Sequence, residues 1–98
     1  MNMVMTILEG QVAPEKWPAL EQAYQEGIKQ LEAGITQTFL LHHSADSAVW
    51  RILTIWRSRE ALNAMRQSGG TPRGVLMFRA ANAEPALSIF DVVAQAHD

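Results

Sequence analysis

Apolar residues recur first at every second position, then at every third or fourth, then at every second again. These changes of period mark out the elements. Residues 3–12 alternate loosely and are rich in β-branched and apolar types, which predicts a first strand. Pro14 opens a helical pattern, with Glu15 where the helix dipole favours a negative charge. Trp17, Leu20, Tyr24, Ile28 and Leu31 follow at spacings of 3, 4, 4 and 3, a single apolar stripe, and Gly34 stands where a C-terminal cap is expected. Pro18 fits this helix only within its first turn, where a missing N–H costs little. Residues 35–43 predict a second strand, Ser44 to Ser47 a turn, and residues 48–57 a third strand; the short gap makes the two a hairpin. Ser58 is placed to cap a second helix, with Glu60 in its first turn and Leu62 and Met65 on its apolar side. Ser68-Gly69-Gly70 ends it. Thr71 and Pro72 read as the N-cap and first residue of a short third helix carrying Val75, Leu76 and Phe78. Asn82 to Pro85 is a loop, and residues 86–95 predict a fourth strand.

The order is β-α-β-β-α-β with an extra short helix before the last strand. This is the α+β, ferredoxin-like pattern, in which helices cover one face of a four-stranded antiparallel sheet. A sheet covered on one side should be polar on the other. The third strand is not: Trp50, Ile52, Thr54 and Trp56 alternate with Val49, Arg51, Leu53, Ile55 and Arg57. The fourth strand carries Leu87, Ile89 and Val93 against Phe90, Val92 and Ala94, and the first carries Val4 and Leu8 against Met5 and Ile7. A bare second face would be a large apolar patch, so a homodimer is expected, the same face of a second copy providing the cover.

The chain has 98 residues, room for one domain spanning 1–98 and a modest core, for which association is a standard remedy. There is no cysteine, which excludes disulfides, thiolate metal sites and a thiol nucleophile. Glu9 interrupts the apolar start at once, so neither a signal peptide nor a membrane span is expected, and the protein reads as soluble and cytoplasmic. The net charge of −2 gives general nucleic-acid binding no support. The charge is nonetheless uneven: residues 1–34 hold five Glu against Lys16 and Lys29, whereas residues 51–79 hold Arg51, Arg57, Arg59, Arg66, Arg73 and Arg79 against Glu60 alone. Solvated helix faces and intersubunit ion pairs would account for this. So would one or two Arg residues that bind an anionic or enolate-like ligand.

The run Ile55-Trp56-Arg57-Ser58-Arg59-Glu60-Ala61-Leu62 resembles a signature of the antibiotic biosynthesis monooxygenase-like family, in which a strand ends in Trp and a Ser-capped helix with an Ala-Leu pair follows. The resemblance extends over nearly the whole chain in element order. It implies a dimeric α+β barrel and, for the best-known members, oxidation of polyphenolic substrates by dioxygen with no metal or flavin, the deprotonated substrate supplying the electrons. No cofactor is therefore expected. The chain departs from the family pattern at Thr54, where an acidic residue is frequent, and at Met65, Arg66 and Gln67, where a His is frequent. The haem-degrading branch uses an Asn, a Trp and a His whose positions fall near Ile7, Met65 and Val75, all apolar, so that activity is disfavoured.

Trp56 is the residue the resemblance marks most clearly, either as a core tryptophan or as a cavity wall whose indole N–H bonds a substrate oxygen. His42 and His43 close the second strand and point to opposite faces. One of them is expected to face the helix-side cavity as a general base, and as a diverging pair they make a poor metal chelate. His97 is expected in a frayed tail. Tyr24 shares helical phase with Leu20 and Ile28, which favours the core with its hydroxyl at an edge. Arg73 and Arg79 flank the short third helix, where surface placement competes with stabilisation of an enolate or phenolate. No phosphate loop, Ser-His-acid order or paired carboxylate is present. Two functions compete: a cofactor-independent monooxygenase acting on an aromatic or quinol-like small molecule, with Trp56, an Arg and a His as its working residues, and a non-catalytic small-molecule-binding or structural homodimer. An RNA-binding module of the same element order would need a basic-Gly-aromatic run on the third strand, which Val49 to Thr54 does not supply.

Overall fold

The computed structural model describes residues 2–96, so His97 lies outside the described residues. Strands β1 (Val4–Gln11), β2 (Ile35–His42), β3 (Val49–Trp56) and β4 (Ala86–Asp91) form one antiparallel sheet in the order β2-β3-β1-β4, the ferredoxin-like arrangement. Helices α1 (Trp17–Gly27), α2 (Arg59–Gln67) and α3 (Arg73–Ala80) connect them.

Several ends differ from expectation. The first helix begins with a 3-10 turn, Pro14–Lys16, and Pro18 does lie in the first turn of α1. The helix stops at Gly27, short of the predicted Leu31. Leu31 is 45% exposed, so the apolar stripe has no core left to meet beyond Ile28. Gly34 is therefore a turn residue rather than the helix cap. Its φ of +93° is left-handed, and a Cβ there would stand 2.5 Å from that of Ala61. At α3 the N-cap is Pro72, not Thr71. The helix ends in a Schellman turn: Ala83 N bonds Phe78 O, Asn82 N bonds Arg79 O, and Asn82 takes a φ of 58°. Strand β4 ends at Asp91, and Val93 beyond it is 93% exposed.

Ser58 caps α2 as expected, its Oγ accepting a hydrogen bond from Ala61 N at 3.1 Å. Replacing it with alanine should lower the unfolding free energy by about 1 kcal/mol, read as a lower urea midpoint at unchanged slope.

The helix-side core divides in two. The larger part joins Leu8, Val12, Leu20, Trp50, Ile52, Met77 and Phe78, with α3 laid against α1; the smaller joins Val4, Trp56 and Leu62 under α2. The sheet's other face carries Met5, Ile7, Leu53, Ile55, Phe39, Leu41 and Phe90. Among the described residues no element covers it. Phe39 and Phe90 are 43% and 51% exposed. It carries an ion pair, Glu9 with Arg51 at 2.6 Å, toward one end of β1 and β3.

Candidate functional site

Between the two parts of the core the helices stand off the sheet and leave a cavity of about 110 Å³, open at one side. An engineered apolar cavity of about 150 Å³ holds benzene, so the space here is somewhat smaller than that, and a fused-ring ligand would extend through the open side. Trp56, Ile52, Leu8, Leu62, Met65, Val75 and Met77 make it apolar. Leu31 and Leu87, about half exposed, lie at its open side.

Its polar groups form one row across the sheet. Thr38 on β2 is paired with Thr54 on β3, and Thr54 with Thr6 on β1. Because directly opposed residues point to the same face, all three hydroxyls lie on the cavity floor. Thr6 and Thr54 are 8% and 9% exposed. Trp56 Nε1 donates to Thr6 Oγ1 at 3.1 Å. Tyr24 on α1 donates to Thr38 Oγ1 at 3.4 Å, and Thr38 and Thr54 share a hydrogen bond of 3.3 Å. Sequence reasoning marked Thr54 only as a departure from the family pattern and passed over Thr6 and Thr38. The available signal was a hydroxyl residue amid apolar ones on the same strand face, as at Val4-Thr6-Leu8 and Ile52-Thr54-Trp56.

The predicted site residues separate into two groups. Trp56, Tyr24 and Arg73 border the cavity. The Trp56 ring is a wall, but its N–H is already satisfied by Thr6, so it is not free for a ligand oxygen. Arg73, exposed at the start of α3, donates to the carbonyl of Gln30 and ties that helix to the turn after α1; Arg66 also reaches the rim. Arg79 does not border the cavity. It forms a surface pair with Glu84 at 2.9 Å, and its hydrogen bond holds the Glu84 carboxyl below the usual range. Arg51 and Arg59 likewise pair with Glu9 and Asp91, contacts worth about 0–1 kcal/mol each.

Both histidines lie at the opposite end of the sheet. His42 is on the helix side, but it stacks on Trp50 with ring centres 3.9 Å apart, stands edge-on to Trp17, and donates from Nε2 to the Ser47 carbonyl at 2.7 Å. Trp50 and Trp56 are six residues apart on β3, about 20 Å. His43 follows β2 and shapes the turn, its Nδ1 accepting from the backbone N–H groups of Ala45 and Asp46, each at 3.0 Å. Neither borders the cavity. Among the described residues no three His, Cys, Asp or Glu side chains are grouped to hold a metal ion, and no helix is long and apolar enough to cross a membrane.

The sequence profile of a family described as antibiotic biosynthesis monooxygenase matches residues 3–83. No curated protein matches the chain. Solved structures do. SnoaB, a cofactor-independent oxygenase from Streptomyces nogalater, superposes with a TM-score of 0.64 at 15% identity, covering 98% of this chain and 97% of its own. A candidate antibiotic biosynthesis monooxygenase from Caulobacter crescentus gives 0.71 at 21% identity, with 95% and 92% covered. Rv0793 from Mycobacterium tuberculosis gives 0.71 at 21%, with 97% and 99% covered. At such identities the likeness is one of fold.

Proposed function

This chain belongs to the antibiotic biosynthesis monooxygenase family, and from that membership we propose that it is a cofactor-independent oxygenase of aromatic, quinol-like small molecules. The observation that carries this reading is the apolar cavity walled by Trp56 and floored by a row of hydroxyls. SnoaB, of the same fold, is described as a cofactor-independent oxygenase.

For an anthrone-like substrate the chemistry balances with dioxygen alone. The substrate CH₂ loses a proton to solvent at the open side. Its carbanion passes one electron to dioxygen, and the radical and superoxide combine to a peroxide anion that takes a proton back from solvent as the hydroperoxide. Loss of water leaves a carbonyl, so that CH₂ and O₂ become C=O and H₂O. Trp56 holds the ring flat against the sheet, Tyr24 borders it, and Arg73 and Arg66 at the rim favour the anion. The other face of the sheet suits a second copy, which gives the protein a homodimeric form.

Oxygen uptake should follow addition of anthrone or a naphthohydroquinone to protein stripped with a chelator and free of flavin. With anthrone and ¹⁸O₂ the new carbonyl should carry the label. Absence of uptake above the protein-free rate across such a panel, with binding retained, would select the alternative, a non-catalytic small-molecule-binding dimer. One observation favours that alternative: among the described residues no histidine borders the cavity.

A further inference from the structure

The cavity floor has a hydrogen-bond polarity that follows from counting protons. The Trp56 indole N–H can only donate, and it donates to Thr6 Oγ1. Thr6 is thereby an acceptor inside the protein, and its own hydroxyl donates no hydrogen bond identified among the described residues. Tyr24 donates to Thr38, and of the two directions open to the Thr38–Thr54 bond the one that runs on from Tyr24 has Thr38 donating to Thr54. In that direction, with one proton on each hydroxyl, the one left over at the end of the chain is that of Thr54. Two separate chains, Trp56-Thr6 and Tyr24-Thr38-Thr54, therefore end on neighbouring residues, directly opposed on β1 and β3.

We propose that Thr6 and Thr54 form a two-donor cradle for a single acceptor oxygen, the carbonyl or phenolate oxygen of an aromatic ligand. Both side chains are more than nine-tenths buried and border the cavity. Each oxygen already has one partner, and a ligand oxygen would give its remaining proton a second. Opposed strand residues have Cβ atoms about 5 Å apart, a span one oxygen can bridge with two hydrogen bonds. The surrounding wall is apolar, which strengthens such bonds and disfavours a ligand that places only hydrocarbon there. Thr38 and Tyr24 act through Thr54 as positioning residues, because they fix which way its proton points. This deepens the oxygenase reading, as it says which part of the substrate lies on the sheet, but it requires only that the cavity be the ligand site.

The test is binding, with no turnover involved. The probes are 1-tetralone, a fused-ring ketone that can only accept, and tetralin, which lacks the oxygen. Tetralone should bind more tightly than tetralin, and its carbonyl stretch should fall below its value in hexane. Thr54→Val should weaken tetralone about three- to tenfold and leave tetralin unchanged, while Thr54→Ser keeps the preference. Thr6→Val should do the same, and Thr6→Ser again restores it. Equal affinity for the two probes, an unshifted carbonyl band, or failure of both to bind would overturn the cradle. So would equal loss of both probes in the valine variants with folding intact. The infrared measurement needs only the unaltered protein, so a variant that does not fold leaves the proposal testable. If tetralone is preferred but no quinol consumes oxygen, the cradle stands and the oxygenase reading falls.

Discussion

Phe78→Ala is expected to lower the unfolding free energy by about 3–5 kcal/mol, a large share of the roughly 5–15 kcal/mol available to a domain of this kind. The Phe78 side chain is fully buried on α3. Its ring lies so close to β1 that a Cβ at Gly10 would stand 2.9 Å from two of its carbons. Truncation therefore removes the contact that seats α3 on the sheet and leaves a void that backbone on both sides keeps from collapsing. Urea denaturation followed by tryptophan fluorescence measures it. The comparison is Phe90→Ala, on the uncovered face at 51% exposure, which should change the stability of the isolated chain far less. A loss below about 1 kcal/mol at Phe78 would mean that α3 does not pack on β1 as described.

The second large effect is on association. Leu53 lies at the middle of β3 on the uncovered face, with Ile7 beside it on β1 and Phe39 on β2. If a second copy covers this face, Leu53→Asp places an uncompensated carboxylate in a desolvated contact. That should cost about 3–5 kcal/mol and weaken the dimer at least about a hundredfold. Light scattering at micromolar concentration should give a dimer mass for the unaltered protein and a monomer mass for the variant. A monomer mass for the unaltered protein would sink the second-copy reading, and some other cover for seven apolar side chains would then be required.

The two effects separate the faces of the sheet. Phe78 acts within one chain, through packing that the helices complete. Leu53 is expected to act between chains, through a face that the helices leave open. The cavity lies on the first of these faces, so Leu53→Asp should leave tetralone binding measurable in the monomer, unless the partner supports α2 or α3 from outside.

The sequence by itself determined what depends on neighbours along the chain. Alternation and helical spacing placed all four strands and all three helices, because a period of two or 3.6 residues is a local property. Ser58 could be identified as a cap because a cap needs only the three residues that follow it. The two-sided apolar character of β3 was legible for the same reason. The tertiary structure decided what depends on contacts between distant segments. Leu31 fits the stripe of α1, yet the helix ends before it because nothing lies there to bury it. His42 has the helix-side orientation that alternation allows, but which end of the sheet it occupies follows from its register against Trp50. Thr6, Thr38 and Thr54 are far apart in the chain, and each alone is an ordinary strand residue. They become a row of hydroxyls only when β1, β2 and β3 pair in one register, and a strand's own sequence specifies which face it presents, not which residue of another strand it will meet.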